Sequence, residues 1–255
     1  MPFARNSCGV LAPIARIKVA LNGGRHRGAH PALPCTPAEL AGAARAAVAA
    51  GAEAVHLHPR AASGAESLDA GDVGAAVAAV REACPATPIG VTTGLWITGR
   101  DVEARRRAVG GWGGLSPYHM PDFASVNVSE PGFTGVLEAL GEFGVAVEAG
   151  VWSVADAGAL SMAAGLPRLL IEIMTPDEDP LAILARLDSA GVPGARLLHG
   201  EGPLCWPMVA LAGRLGLPTR IGLEDTLTGP DGEPVADNAS LVRLALSVWS
   251  AAASA

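Results

Sequence analysis

The chain has almost no lysine. Lys18 is the only one among 255 residues, and every other positive side chain is arginine. That scarcity removes one class of chemistry. A Schiff-base enzyme needs a reactive lysine deep in its site, and Lys18 falls near the start of a first strand, away from the strand ends. Positive charge is short overall, with 18 Lys and Arg against 25 Asp and Glu, for a formal net charge of −7. Non-specific binding to nucleic acid or to an acidic membrane surface needs the opposite balance. Cysteine is sparse as well. Cys8, Cys35, Cys84 and Cys205 lie far apart with no C-x-x-C pair, which favours reduced thiols and a cytoplasmic setting over a disulfide framework. No run approaches the roughly 18 uninterrupted apolar residues of a membrane span. The stretch "GVLAPIARIKVAL" is broken by Pro13, Arg16 and Lys18, so it reads as the approach to a strand rather than a leader peptide, and a soluble protein is expected. A G-x-G-x-x-G at a helix start is also missing after Gly23 and Gly24, which argues against an open, doubly wound dinucleotide-binding sheet.

What is present is apolar and alternates in type. Hydrophobic residues make up 50% of the chain and charged ones 17%, enough for a sizeable core. Short β-rich runs fall at Ile17–Asn22, Ala54–His58, Ile89–Thr93, Ala124–Val128, Val145–Val151, Arg168–Met174, Ala195–His199 and Arg220–Glu224. Ala- and Leu-rich helical patterns separate them. "TPAELAGAARAAVAAG" has Thr36 to cap, Pro37 at the first helical position, Glu39 at the third and Gly51 as a stop. "NASLVRLALSVWSAAA" opens on Asn238 as its cap. Strand-then-helix units repeated in this way, with near-continuous apolar strands, predict a (β/α)8 TIM barrel of the α/β class. A single domain over 1–255 is expected, its first strand beginning near residue 17.

Such a barrel places its chemistry at the C-terminal ends of the strands. The polar residues there are Asn22, Arg25, His56, His58, Thr92, Thr93, Ser125, Asn127, Glu148, Glu172, His199, Arg220, Glu224 and Asp225. His56 and His58, in "AVHLHPR", are two apart on a strand, so both imidazoles project to one face. They are two donors for one metal ion or two hydrogen-bonded pore residues, and a third ligand would decide. "TRIGLED" offers two adjacent carboxylates on different sides of the chain. One can bind metal while the other moves a proton, or both can cap the next segment or pair with Arg220. Two histidines and one carboxylate leave positions open for substrate, and the set suits zinc, iron, manganese or cobalt.

With "ALNGG", "TPAEL", "GVTTG", "PDFASVNV" and "RIGLEDT…GEPVADNASLV" in order around them, these motifs make the chain similar to the beta-keto acid cleavage enzymes, from Lys18 to Leu241. The founding activity of that family is 3-keto-5-aminohexanoate cleavage. The resemblance implies a zinc-dependent, homo-oligomeric TIM barrel that converts a β-keto acid plus acetyl-CoA into acetoacetate plus a new acyl-CoA. It implies His56, His58 and Glu224 as zinc ligands and Asp225 as the base that removes a proton α to the keto group. Arg220 would orient Asp225 and keep it ionised, while Thr92 and Ser125 would hydrogen-bond the reacting groups. Substrate-binding positions are then expected at Asn22, Arg25, Thr93, Gly94, Asn127 and Glu148.

The departures carry expectations of their own. The family's first strand often ends T-G-A-E, where this chain has Asn22-Gly23-Gly24-Arg25. A cation there should repel an amino substrate and accept an anionic or neutral polar one, unless Arg25 points to solvent. "MTPDEDP" (174–180) replaces a glycine-rich loop after the sixth strand, and "HGEGPLCW" lacks the family's Gly-x-Gly-Arg. Acidic residues in such a loop are poor neighbours for CoA phosphates. Arg60-Ala61 stands where the family commonly has Arg-Asp. His199 reads as a satisfied barrel-mouth histidine, a site residue or a further ligand. "EARRRAVGGWGG" reads as a solvated helix and loop, and Trp96 and Trp112 as packing or lid aromatics. Two other functions compete: a mononuclear metal hydrolase, and a metabolite-binding barrel without turnover. Asp225 and Arg220 beside Glu224 speak for an enzyme.

Overall fold

The computed structural model describes residues 11–160 and 166–254, and every expected strand is there. They are β1 (Ile17–Ala20), β2 (Ala54–Leu57), β3 (Ile89–Thr92), β4 (Phe123–Asn127), β5 (Ala146–Val151), β6 (Arg168–Ile173), β7 (Ala195–Gly200) and β8 (Thr219–Ile221). Each pairs in parallel with the next, and β8 pairs with β1, so the chain forms a closed (β/α)8 barrel. The outer helices are α1 (Pro37–Ala49), α2 (Ala70–Ala83), α3 (Val102–Gly110), α4 (Phe133–Glu142), α5 (Val154–Ala159), α6 (Pro180–Ser189), α7 (Cys205–Leu215) and α8 (Asn238–Ala253). None of the described helices is long and apolar enough to cross a membrane. Cys8 lies outside the described residues, whereas Cys35, Cys84 and Cys205 are free and buried.

The strands are apolar throughout because both their faces are covered. Val19, Val55, Val91 and Val126 belong to the continuous core, while the alternate side chains of the same strands fill the barrel. α1 begins as its sequence predicts, with Thr36 accepting from the Glu39 amide, Glu39 reaching back to Thr36, and Pro37 first in the helix. At α8 the expectation is corrected by one residue. Asp237, not Asn238, accepts from the Ser240 amide and caps the helix. Asn238 is buried instead and accepts from the Leu223 amide while donating to the Leu21 carbonyl, fastening the turn after β8 to the end of β1. α3 departs from the solvated reading at Arg105. That side chain is fully buried, 2.9 Å from Glu130, and donates to the Thr93 carbonyl at 2.6 Å. Trp112 is buried too and donates to the Leu68 carbonyl, so it packs rather than covers a site.

Inside the barrel the side chains form layers. Ile14, Ala54, Phe123, Ala146, Leu170 and Leu197 make an apolar floor. Lys18 and Arg168 sit over the Phe123 ring, 5.8 and 4.9 Å from its centroid, and both pair with Glu148. This cluster explains the one lysine: near the start of its strand, it points into the barrel and serves as a counter-ion. Burial opposes charge on Glu148, but Lys18 and Arg168 outweigh it and hold the carboxyl at about 2. Removing the shared carboxylate of such a buried set costs about 3–5 kcal/mol, because both cations are stranded.

Candidate active site

Above the ion cluster, at the C-terminal ends of the strands, lies a cavity of about 310 Å³. His56, inside β2, and His58, just beyond it, point the same way as strand alternation requires. Their rings stand edge to face with centroids 5.1 Å apart. Glu224 enters from the turn after β8, with Oε1 3.4 Å from His58 Nε2 and Oε2 3.7 Å from His56 Nε2. It has room because Gly23 carries no side chain: a Cβ there would come within 2.4 Å of Glu224 Cγ, and Gly23 has a φ of +53°. One ligand atom from each of His56, His58 and Glu224 lies within 4.8 Å of the others.

These three residues fit a metal ion. Glu224 Oε2 is buried and has no hydrogen-bond partner among the described residues, an arrangement that costs free energy unless a cation or donor meets it. Burial drives His56 down to about 3, helped by His58, Arg220 and Lys18 against the pull of Glu224, so the imidazole is neutral. Burial also opposes charge on His58, but the carboxylates of Glu224 and Glu66 outweigh it and raise that ring to about 9. Two imidazole nitrogens and a carboxylate oxygen are the donor types of an open, catalytic-style site.

The surrounding residues separate into those that face the cavity and those that hold them. His56, His58, Thr92, Ser125, Asn127, Arg25, Arg220 and Glu224 all line it. Arg25 does not turn to solvent: its Nε donates to the Leu223 and Glu224 carbonyls at 2.6 and 3.2 Å. Asn22 is behind the wall, where its amide brackets the backbone of His58 with two hydrogen bonds of 2.9 Å. Thr93 also turns away, donating to the Ser125 carbonyl, and Gly94 donates its amide to Thr92 Oγ1. Glu148 lies one layer too deep to line the cavity, although Ser125 Oγ links it to His56, 3.4 Å from each.

Asp225 and Glu224 do diverge to different sides. Asp225 is fully buried, with Oδ1 3.0 Å from Arg220 Nε and 2.6 Å from Arg220 Nη2. Arg220 also donates to Glu224 Oε1 at 2.7 Å and comes within 3.6 Å of Glu172. His199 lines the cavity with Nε2 2.9 Å from Glu172 and Nδ1 3.8 Å from Asp225 Oδ1. That Nδ1 is buried without a hydrogen-bond partner. Trp152, on the wall, donates to the other oxygen of Glu172 at 3.2 Å. Met174 begins the acidic loop and reaches the cavity, while Asp179 within that loop caps α6. Glu201 also lines the mouth, its carboxyl raised by burial and by Asp225.

Sequence reasoning missed Glu66, Trp152, Met174 and Glu201. Glu66 is the most consequential, since its Oε1 is 2.5 Å from His58 Nδ1. It stands eight residues beyond that histidine in a polar loop, where no spacing marks it. Trp96, read as a packing or lid aromatic, lines the cavity wall.

A family model described as beta-keto acid cleavage enzyme matches residues 15–254. No curated protein matches the sequence. Among solved structures, a binary complex of ObcA with oxaloacetate is similar at a TM-score of 0.67 and 18% identity, covering 85% of this chain and 63% of that one. A ternary complex of ObcA with C4-CoA adduct and oxalate gives 0.64 and 17%, again over 85% and 63%. The tryptophan synthase alpha chain from Legionella pneumophila subsp. pneumophila gives 0.58 and 11%, over 92% and 91%. At these identities the likeness is one of fold, and the chain spans less than two thirds of the length of the ObcA structures.

Proposed function

The chain belongs to the beta-keto acid cleavage enzyme family, and from that premise we propose a zinc-dependent cleavage of a β-keto acid with acetyl-CoA, giving acetoacetate and a new acyl-CoA. The observation that carries the metal is the orphaned Glu224 Oε2, 3.7 Å from a neutral imidazole at the base of an open cavity. A divalent ion held by His56, His58 and Glu224 would polarise carbonyl oxygen and offset the negative charge that develops on it.

This chain's residues supply the rest. Asp225 accepts the proton α to the keto group, and Arg220 orients it through its paired donors. Asp225 stands behind the wall, paired with Arg220 and 3.8 Å from His199 Nδ1. The deprotonated α-carbon bonds to the acetyl carbonyl and CoA leaves. The thiolate then attacks the original keto carbon, the bond between that carbon and the α-carbon breaks, the α-carbon takes back the proton held at Asp225, and acetoacetate departs. Thr92, Ser125 and Asn127 offer polar groups to the reacting atoms from the wall. Arg25, with its Nε anchored on backbone carbonyls, sets a fixed positive charge beside the cavity. That favours an anionic or neutral polar keto acid over an amino one. Oxaloacetate, named with ObcA, is a β-keto acid of the anionic kind. Family membership adds the expectation of a homo-oligomer acting in the cytoplasm.

The test is zinc-loaded protein with acetyl-CoA and a panel of amino, neutral and dicarboxylic β-keto acids, read by mass spectrometry of CoA esters. New esters are expected from the neutral or dicarboxylic acids and little from the amino acid. Comparable turnover of all three would overturn the substrate assignment. A second reading, a mononuclear metal hydrolase, is favoured by the acidic mouth. Glu201 lines it, and Asp177 and Glu178 follow Met174 in the adjoining loop, near where CoA phosphates would pass. No new ester anywhere in the panel would favour that reading or a metabolite-binding barrel without turnover.

A further inference from the structure

We propose that Glu66 is the positioning residue that aims His58 as a metal ligand, and that Trp96 holds Glu66 in place. The inference rests on reading His58 as a ligand. An imidazole has two ring nitrogens, and which one faces a metal is set by what the other meets. Here Glu66 Oε1 lies 2.5 Å from Nδ1, so Nε2 is the nitrogen left facing Glu224, 3.4 Å away. The second Glu66 oxygen accepts from Trp96 Nε1 at 3.0 Å. Both oxygens are thus engaged, and the carboxylate cannot turn without losing a partner. The Trp96 indole also stacks on the His58 ring, with centroids 6.3 Å apart and planes 25° apart.

The surroundings are shaped for this contact. A Cβ on Gly24 would come 3.1 Å from Glu66 Oε2, and one on Gly94 would come 2.2 Å from the Trp96 ring. The loop that carries Glu66 folds back on β2 through an isolated antiparallel bridge between Arg60 and Glu66. The Ser67 amide donates to the Pro59 carbonyl, and Arg60 ties the loop to the Gly64 and Gly23 carbonyls at 3.0 and 2.6 Å. The Glu66 side chain is only 13% exposed although it lies in a loop. Among the described residues His56 Nδ1 meets no carboxylate, only Ser125 Oγ at 3.4 Å. Two loops that are separate in sequence therefore converge on one imidazole.

The experiment compares the full-length protein with its Glu66→Ala, Glu66→Gln, Trp96→Phe and His58→Ala variants. It measures zinc affinity by chelator competition and, after cobalt loading, the ligand-field absorption spectrum. Glu66→Ala should weaken zinc about 10- to 100-fold, the usual scale for loss of such a partner, and should alter the cobalt bands. Glu66→Gln, which keeps an acceptor but not the charge, should fall between wild type and Glu66→Ala. Trp96→Phe keeps the ring and loses the donor, so it should show a smaller spectral change in the same direction. Trp96 is 44% exposed, which makes this variant informative even if Glu66→Ala folds poorly. Wild-type affinity and spectrum in the Glu66 and Trp96 variants, with zinc lost in His58→Ala, would overturn the positioning role and leave the ligand set standing. Full zinc retention in His58→Ala would overturn the ligand reading and this inference with it.

Discussion

On one wall of the cavity Trp96 donates to Glu66, which meets His58; on another, Trp152 donates to Glu172, which meets His199. The residue types and their order of contact are the same, but the imidazoles are turned differently. Glu66 meets Nδ1 of His58 and leaves Nε2 toward Glu224, whereas Glu172 meets Nε2 of His199 and leaves Nδ1 toward Asp225. The two relays therefore end on adjacent carboxylates of one turn. The second also has a fixed cation among its carboxylates, since Arg220 reaches both Glu172 and Asp225. On the first, Arg220 touches Glu224 through Oε1 only, and Oε2 is left without a partner. One relay is short of positive charge at a set of metal donors, and the other has its charge supplied by arginine beside the proposed base. The same three residue types thus meet a proposed metal ligand on one wall and a neighbour of the proposed base on the other.

Separating those two roles is the most demanding test. Asp225→Asn should lower turnover by about 10²–10⁴-fold, the range for losing a general base, while bound zinc measured by elemental analysis stays at the wild-type level. A non-catalytic binder would be indifferent to that change. Next in size is the layer beneath both relays. Glu148→Leu strands Lys18 and Arg168 and should destabilise the fold by about 3–5 kcal/mol in urea titrations. Acid probes the same layer. The Glu148 pKa is depressed to about 2 from the ordinary 4.5, so its stabilising contribution is full above pH 4.5 and fades as the pH falls toward 2. Urea midpoints measured across that window should decline more steeply in wild type than in the Lys18→Met, Glu148→Leu pair. Smaller again is the contrast between the relays themselves. Glu172→Ala should reduce turnover with little change in zinc affinity, the reverse of the order expected for Glu66→Ala. Equal loss of zinc in both would erase the distinction.

Much of this was legible before any coordinates. The barrel follows from eight apolar runs and their intervening helices, and two histidines at a spacing of two must share a face. Glu224 and Asp225 do lie on different sides, but in the turn after β8 rather than on the strand where alternation would set them. The same rule implies that only one of Thr92 and Thr93 can face the cavity, but not which, and Thr93 is the one that turns to Arg105. Depth was harder to read. Glu148 sits in register with Ser125 and Arg168, a layer below the mouth, and no local pattern encodes that. Asn22, expected to bind substrate, instead hydrogen-bonds the backbone of His58 behind the wall. Glu66 was invisible because its role depends on a loop folding back on the strand that precedes it. Asp237 and Asn238 are both good caps, and the choice between them was made by the demand for an amide beneath the turn after β8.

The solitary lysine has a practical consequence. Lys18 is the only lysine in the chain and its side chain is fully shielded. An acylating reagent aimed at side-chain amines can reach it only when the barrel opens. The folded protein should take up no label on a lysine, and each molecule that opens should gain a single increment of mass there. The rate of that gain is a one-site clock for barrel opening, already present in the natural sequence.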